Sequence, residues 1–103
     1  MRLIVSESAR RDLESIAHYT EREWGARQKA RYLEEIEGRM RALRDNPALG
    51  APRDDLRPGC RSLVVVSHVI YYRTAEEAVE VLRVLHHSMD VGGRLSLEAE
   101  PEA

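Results

Sequence analysis

Consecutive apolar residues in the second half of the chain limit its possible folds more than any other sequence feature. Leu63 is followed by three valines, and residues 81–85 are apolar except for Arg83. Because successive strand residues point to opposite faces, a sheet built from these segments carries apolar side chains on both faces. The first half of the chain offers only two helices, which cover one face. The sequence therefore predicts an apolar patch on the second face, and such patches commonly mark binding sites.

The first half predicts a short strand over residues 2–5 and then a hairpin of two helices. Ser6 is a good N-cap, and apolar residues recur after it at spacings of three and four as far as Trp24. Gly25 ends this helix, and a second amphipathic helix runs to Asn46 and Pro47. A one-residue break between two long helices produces an αα-hairpin, with Trp24 expected to plug its end.

The second half has the composition of strands. Residues 61–66, 68–73 and 78–86 are rich in Val, Leu, Ile and Tyr, with a turn expected over residues 74–77. The order is strand, helix, helix and three strands, an α+β domain with the hairpin packed on a mostly antiparallel sheet. We expect one domain over residues 1–91 and a flexible acidic tail over residues 92–103.

Three kinds of cover remain open for the second face of the sheet. A different protein could bind there, the chain could pair with a second copy of itself, or its own segments could fold across the face. The candidates for the last case are the connection over residues 45–60 and the C-terminal tail.

Composition narrows the possible functions. The 103 residues carry a formal net charge of −2, which argues weakly against direct nucleic-acid binding as the main activity. Cys60 is the single cysteine, so no internal disulfide forms, and a buried thiol is favoured over a nucleophile. No apolar run reaches the roughly 20 residues that span a bilayer. We expect a cytoplasmic protein without a cofactor.

Arginine and histidine on the predicted strands raise the possibility of RNA cleavage. Arg61, Arg73 and Arg83 could steady a phosphate while a nearby tyrosine or histidine moves protons. The nearby candidates are Tyr71, Tyr72, His68, His86 and His87. The favoured interpretation is that the arginines pair with carboxylates, either within the chain or on a partner. A metal site is not expected, since His86 and His87 are adjacent strand residues that should point to opposite faces.

Several short motifs follow one another along residues 6–90. The pattern S-x-x-A-x-x-D-L-x-x-I-x-x-Y begins at Ser6, N-P-x-x-G at Asn46, and L-R-P-G-x-R at Leu56. The pattern H-x-I-x-Y-R begins at His68, and R-V-L-H-x-x-M-D at Arg83. The hairpin matches at Trp24, Gly25, Ala30, Tyr32 and Leu33. In this order and spacing the motifs resemble the ParE branch of the RelE/ParE toxin superfamily of type II toxin–antitoxin systems.

The resemblance implies a strand, a helical hairpin and a sheet, in agreement with the elements above. It implies a growth-inhibiting, non-enzymatic toxin that inhibits DNA gyrase, blocks replication and serves plasmid or genome stabilisation. The implied partner is a ParD-type antitoxin, whose ribbon-helix-helix part binds operator DNA and whose C-terminal part wraps the toxin. The alternatives are a RelE-type, ribosome-dependent mRNA endonuclease using Arg61, Arg83 and His86, or an attenuated toxin acting mainly in the autorepressor complex.

The predicted site residues form two groups. Strand periodicity, together with the arginine positions, assigns antitoxin binding to Arg61, Leu63, Val65, Tyr71, Arg73, Val81 and Arg83. The accessible C-terminal stretch supplies the candidate gyrase contacts, which are His87, Met89, Asp90, Arg94 and Leu95.

Overall fold

The computed structural model describes residues 1–89 and 91, and in them a two-helix hairpin packs on a five-stranded sheet. The elements are β1 (Arg2–Val5), α1 (Glu7–Trp24), α2 (Ala26–Asp45), β2 (Ala51–Pro52), β3 (Arg61–Val65), β4 (His68–Ala75) and β5 (Ala78–His86). Strand order is β1-β5-β4-β3-β2, with β1 parallel to β5 and the other pairs antiparallel. The predicted α+β order is confirmed, with the two-residue β2 added. The proposed tail over residues 92–103 lies outside the described residues.

Helix α1 begins where the sequence places its cap and is tied to the sheet by the same residue. Ser6 Oγ accepts a hydrogen bond from the Ala9 amide (3.0 Å) and donates one to the Leu82 carbonyl (2.9 Å). Gly25 then separates α1 from α2 at a φ of 95°, which glycine adopts without strain. Local capping chemistry therefore fixes both ends of α1.

A buried tyrosine holds the end of the second helix and the loop that follows it. The Tyr72 hydroxyl donates a hydrogen bond to the Pro47 carbonyl (2.7 Å) and accepts one from the Gly50 amide (2.8 Å). A Cβ on Gly50 would lie 2.6 Å from the Ser62 carbonyl oxygen, so only glycine fits there. The motif N-P-x-x-G is explained by this anchor.

The hairpin tip is more exposed than the sequence predicts. Trp24 is 70% exposed and Ala30 is also exposed, so the expected plug at the hairpin end is wrong. The buried residues of the two amphipathic helices lie away from the hairpin tip, at Ala9, Ile16, Thr20, Ile36, Met40 and Leu43.

A β-bulge in β5 shifts the alternation of side chains along that strand. Tyr72 pairs with Val81 and Tyr71 pairs with Arg83, so Leu82 has no opposite partner in β4. Side chains before and after the bulge therefore follow different phases. Val81 and Val84 both join the cluster beneath the helices, although three positions separate them.

The sheet has an apolar cluster on each face, as the consecutive apolar residues predict. The first, here called the helix-side cluster, lies between the sheet and the hairpin and includes Ile36, Leu43, Ile70 and Tyr72, all fully buried. The second, here called the loop-side cluster, consists of Cys60, Val69, Tyr71, Leu82 and Leu85, with Leu56 and Val91 packed against it.

Candidate partner-binding surfaces

The loop-side cluster is covered by the chain itself. The connection between β2 and β3 folds back through a hydrogen bond from the Arg53 amide to the Cys60 carbonyl (2.7 Å) and places Leu56 over the face. Val91 adds cover after β5. Val69, Tyr71, Leu82 and Leu85 are each at most 8% exposed as a result. Of the three covers that the sequence leaves open, folding of the chain's own connection accounts for this part of the face.

Three of the apolar residues assigned to antitoxin binding are corrected by their burial. Leu63, Val65 and Val81 lie in the helix-side cluster at 7%, 3% and 0% exposure, beneath the hairpin. Tyr71 lies on the opposite face in the loop-side cluster, so the four do not share a surface. The bulge and the strand register decide these faces, and a partner cannot reach the three residues without displacing the helices.

The arginines on the strands are committed to partners within the chain. Arg83 makes a two-pronged ion pair with Asp12 of α1, at 2.8 and 2.9 Å, and the other Asp12 contact is the Val84 amide at 2.9 Å. Arg73 Nε lies 2.8 Å from Glu80 Oε1. For Arg73 and Arg83, the favoured interpretation of pairing with carboxylates therefore holds within the chain.

Arg61 is held differently, by backbone oxygen. Its guanidinium donates to the carbonyls of Ala48 and Gly50 in the loop before β2. Together the three arginines brace α1, the β4–β5 pair and the connecting loop. The antitoxin contacts assigned to these three arginines stay a prediction.

The residues of the possible nuclease site are not brought together. Arg61 pairs with Tyr72 at the start of β3, whereas His86 pairs with His68, which faces Val65 at the other end of that strand. Four residues of strand separate these ends by about 13 Å. Arg83 lies between them, paired with Asp12. The backbone positions of the three residues are therefore spread along the strands rather than gathered at one point.

A row of three imidazoles lies where β4 begins and β5 ends. The rings of His68 and His86 meet edge to face at 5.3 Å, and the rings of His86 and His87 stack at 4.4 Å. The expectation that His86 and His87 point apart is wrong because β5 ends at His86 and His87 already lies in the turn. Within the described residues, no group of histidines, cysteines and carboxylates could hold a metal ion.

The same end of the sheet contains a turn in an unfavourable conformation. Val66, the first residue of the two-residue turn between β3 and β4, has a φ of 55°, which a β-branched residue rarely adopts. Tyr32 of α2 braces this turn: its hydroxyl is 2.6 Å from His68 Nδ1 and accepts from the Ser67 amide at 3.2 Å. Burial, followed by the neighbouring imidazoles of His86 and His87, lowers the pKa of His68 from 6.5 to about 4.

Two of the five candidate gyrase contacts are described. His87 stacks on His86 and donates its amide to the Ser67 carbonyl (3.0 Å), while Met89 is 43% exposed. Asp90, Arg94 and Leu95 lie outside the described residues. The two that can be placed are accessible beside the β3–β4 turn, where Val64 and Val66 are 60% and 65% exposed.

A groove beside β1 was missed by the sequence reasoning. It has a volume of about 280 Å³ and is lined by Leu3, Val5, Arg10, Leu13, Glu37, Met40 and Arg41. Leu3, Val5 and Leu13 are only half-buried against the helix-side cluster. The alternation of Leu3 and Val5 predicts only that both side chains lie on the same face of the strand, and it does not indicate that β1 lies at the sheet edge.

The single cysteine lies in the interior of the protein, as the sequence predicts. Cys60 is 1% exposed in the loop-side cluster, and burial raises the pKa of its thiol, which confirms the interpretation as a buried residue. Among the helices of the described part of the chain, none is both long and apolar enough to cross a bilayer.

Comparison with known proteins finds similar sequences that match most of the chain. Residues 3–91 match the family model described as ParE toxin of type II toxin-antitoxin system, parDE. Toxin ParE1 of Caulobacter vibrioides is 37% identical over 91 residues, covering 88% of this chain and 94% of the relative. Toxin ParE1 of Mycobacterium tuberculosis H37Rv is 39% identical over 95 residues, covering 91% and 97%.

A solved structure shows the same fold. It is described as a chromosomal ParDE TA system from P. aeruginosa and superposes with a TM-score of 0.75 at 22% identity, covering 84% of this chain and 95% of that one. The order of strand, helical hairpin and sheet is the one that the motifs predict. The sequence matches point to the same family. This chain belongs to the ParE toxin family of type II toxin–antitoxin systems.

Proposed function

We propose that this chain is a cytoplasmic, non-enzymatic toxin that inhibits DNA gyrase and is neutralised by a ParD-type antitoxin. The match of residues 3–91 to the ParE family carries the proposal. The placement of Arg61, Arg83 and His86 supports it, because the three residues are spread along the strands and Arg83 is paired with Asp12. The toxin would then act by occupying its target rather than by transferring protons.

The antitoxin follows from the same family assignment. A type II antitoxin is a protein that binds its toxin directly, and the proposed one binds operator DNA through a ribbon-helix-helix domain. This chain would therefore reach operator DNA only through its partner. The chain's net charge of −2 fits this arrangement, since direct DNA binding usually needs a basic surface.

The test adds purified chain to gyrase with supercoiled plasmid and ATP, and follows linear DNA on denaturing gels. We expect linear DNA to accumulate with increasing chain, and the effect to vanish when the antitoxin is added first. A reaction containing only the chain–antitoxin complex is the control. Unchanged supercoiling and the absence of linear DNA at saturating chain would contradict gyrase inhibition.

A parallel assay addresses the nuclease alternative. A translating ribosome system is examined for message cut in the A site, using the chain and its His86→Ala variant, with His87→Ala as the matched control. We expect intact message in all three reactions and unchanged toxicity of His86→Ala in cells. Cut message that depends on His86, without an effect on gyrase, would replace the proposed function. Antitoxin binding without either activity would identify an attenuated toxin.

A further inference from the structure

The tip of the helical hairpin contains the longest run of exposed residues in the two helices. All eight residues from 21 to 28 are exposed, and Trp24 among them is 70% exposed. The nearest buried residue is Thr20 in α1, while the first in α2 is Ile36. A large aromatic side chain gains free energy when it leaves water, so an indole this exposed is suited to contact another molecule.

The same end of the hairpin carries an excess of positive charge. Residues 18–31 include two carboxylates, Glu21 and Glu23, and four cationic side chains, which are Arg22, Arg27, Lys29 and Arg31. This segment therefore has a net charge of +2. Because the whole chain has a net charge of −2, the other residues together carry −4. An anionic partner is attracted to the tip and repelled by the rest of the molecule.

Two of the tip arginines are available to such a partner. The two carboxylates of the segment already lie within 3.1 and 3.9 Å of Lys29 and Arg22. Arg27 and Arg31 form no ion pair with any residue that the structure describes. They are four positions apart on α2, so their side chains share one face of that helix. Guanidinium groups match the oxygen geometry of phosphates, and two on one helical face can contact neighbouring phosphates of a strand.

We propose that the hairpin tip contacts nucleic acid, with Arg27 and Arg31 on phosphates and Trp24 stacked on an unpaired base. Every base has an aromatic face, so the indole binds without regard to sequence. Only a few phosphates are neutralised, and the negative remainder of the chain opposes closer approach, so free DNA is bound weakly. The contact has its effect on DNA that the target holds beside the toxin, and this choice of DNA rests on the proposed inhibition of gyrase.

The first experiment observes the tip directly. Trp24 is the one tryptophan of the chain, so the tryptophan fluorescence reports on the tip alone. We expect a single-stranded oligonucleotide to quench this fluorescence at low salt, through stacking, and the quenching to weaken as salt is added. Heparin, a polyanion without bases, should leave the fluorescence nearly unchanged. Equal quenching by heparin, or none by a saturating oligonucleotide, would overturn the stacking contact.

The second experiment measures affinity by the fluorescence anisotropy of a labelled oligonucleotide. The test variant is Arg27→Gln with Arg31→Gln, and the matched control is Arg39→Gln with Arg44→Gln, which removes the same charge from exposed positions of the same helix. We expect the test variant to bind about tenfold more weakly and the control to change little. Equal affinity of these two variants would show that the tip arginines do not bind phosphate.

Substitution of the indole tests the same contact from its other side. Trp24→Ala should bind the labelled oligonucleotide at least about fivefold more weakly, whereas Trp24→Phe keeps an aromatic face and should retain most of the affinity. Thermal unfolding verifies that all variants fold. Unchanged affinity of Trp24→Ala would contradict stacking.

The gyrase assay with the same variants separates this inference from the proposed function. If the Arg27 and Arg31 variant inhibits gyrase less than the wild type, but no oligonucleotide quenches Trp24, the tip contacts protein and the nucleic-acid contact is wrong. If the oligonucleotide quenches Trp24 but the wild-type chain leaves gyrase unaffected, gyrase inhibition is wrong and the nucleic-acid contact stands. Quenching together with weaker inhibition by the variant supports both.

Discussion

The two apolar faces of this sheet are covered in different ways. The helix-side cluster lies beneath two helices of 18 and 20 residues, and Ile36, Leu43 and Ile70 are completely buried in it. The loop-side cluster lies beneath an irregular connection, and its cover consists of Leu56 and Val91, both only half-buried. A regular helix packs many side chains against a sheet, whereas a loop contributes one or two.

The two helices form a thicker layer than the loop, but they cover their face of the sheet less completely. The face beneath the helices opens at its margin, where Leu3, Val5 and Leu13 are partly exposed beside β1. The face without helices is closed over Tyr71, Leu82 and Leu85 by the chain's own loop. The number of apolar side chains on a face therefore does not indicate how completely that face is covered.

The largest test of this comparison truncates the same side chain on the two faces. Leu43→Ala removes a fully buried leucine under the helices and should lower the free energy of unfolding by about 4 kcal/mol. Leu56→Ala removes half-buried cover from the loop-side cluster and should cost about 1 kcal/mol while accelerating amide exchange over residues 53–60. Chemical denaturation measures both values. Equal losses would mean that the two covers contribute alike.

The next test compares two ion pairs that link strands to their surroundings. Asp12→Ala leaves Arg83 without its carboxylate and the Val84 amide without its acceptor, and should lower stability by about 3 kcal/mol. Glu80→Ala frees Arg73, whose side chain is 35% exposed, and should cost under about 1 kcal/mol. Similar losses in urea unfolding would remove the special role of Asp12 in joining α1 to β5.

Adjacent tyrosines on β4 offer a matched pair, since they point to opposite faces. Tyr72→Phe deletes the hydroxyl that bonds Pro47 and Gly50 and should lower stability by about 2 kcal/mol. Tyr71→Phe, in the loop-side cluster, should cost about 1 kcal/mol or less. Thermal unfolding of both variants measures the difference, and a larger loss for Tyr71→Phe would reverse the ranking.

The last test concerns a pH dependence that belongs to the helix side. His68 contacts Tyr32 and has a pKa lowered to about 4, so the folded chain holds it neutral while the unfolded chain protonates it below 6.5. Its contribution to stability is complete above pH 6.5 and is lost as pH falls toward 4. Neighbouring His86 and His87 oppose its protonation and Asp12 favours it.

The measurement compares unfolding of the wild type and His68→Gln between pH 7 and pH 4, with exposed His18→Gln as the control. The wild type should lose more stability on acidification than His68→Gln, and His18→Gln should follow the wild type. Parallel curves for all three proteins would show that His68 does not sense acid.

Most secondary structure could be predicted because its signals are local. Ser6, Gly25 and Asn46 mark helix ends through capping and backbone preferences, and the structure places the ends there. The turn between β3 and β4 gave no such signal, because Val66 occupies a position that normally selects glycine. Tyr32 supports this turn, and the Val65 carbonyl that its hydroxyl contacts lies 33 residues away in the sequence.

The candidate site was less predictable because strand alternation assigns relative faces only while pairing is regular. The bulge at Leu82 changes the phase within β5, so Val81 and Val84 end on the same face although they are three positions apart. The groove beside β1 likewise depends on which strand lies at the edge. No local pattern around Leu3 or Val5 indicates that β1 pairs with the last strand, β5.

By itself the sequence determined the two helices, the strands and an excess of apolar side chains on both faces, since periodicity, capping and composition act over a few residues. Only the tertiary structure decided that the β2–β3 connection covers one face and that the other opens beside β1. The physical reason is that coverage depends on strand order, register and the path of a loop. These are set by contacts between distant residues, such as the Ser6 and Asp12 bonds to β5.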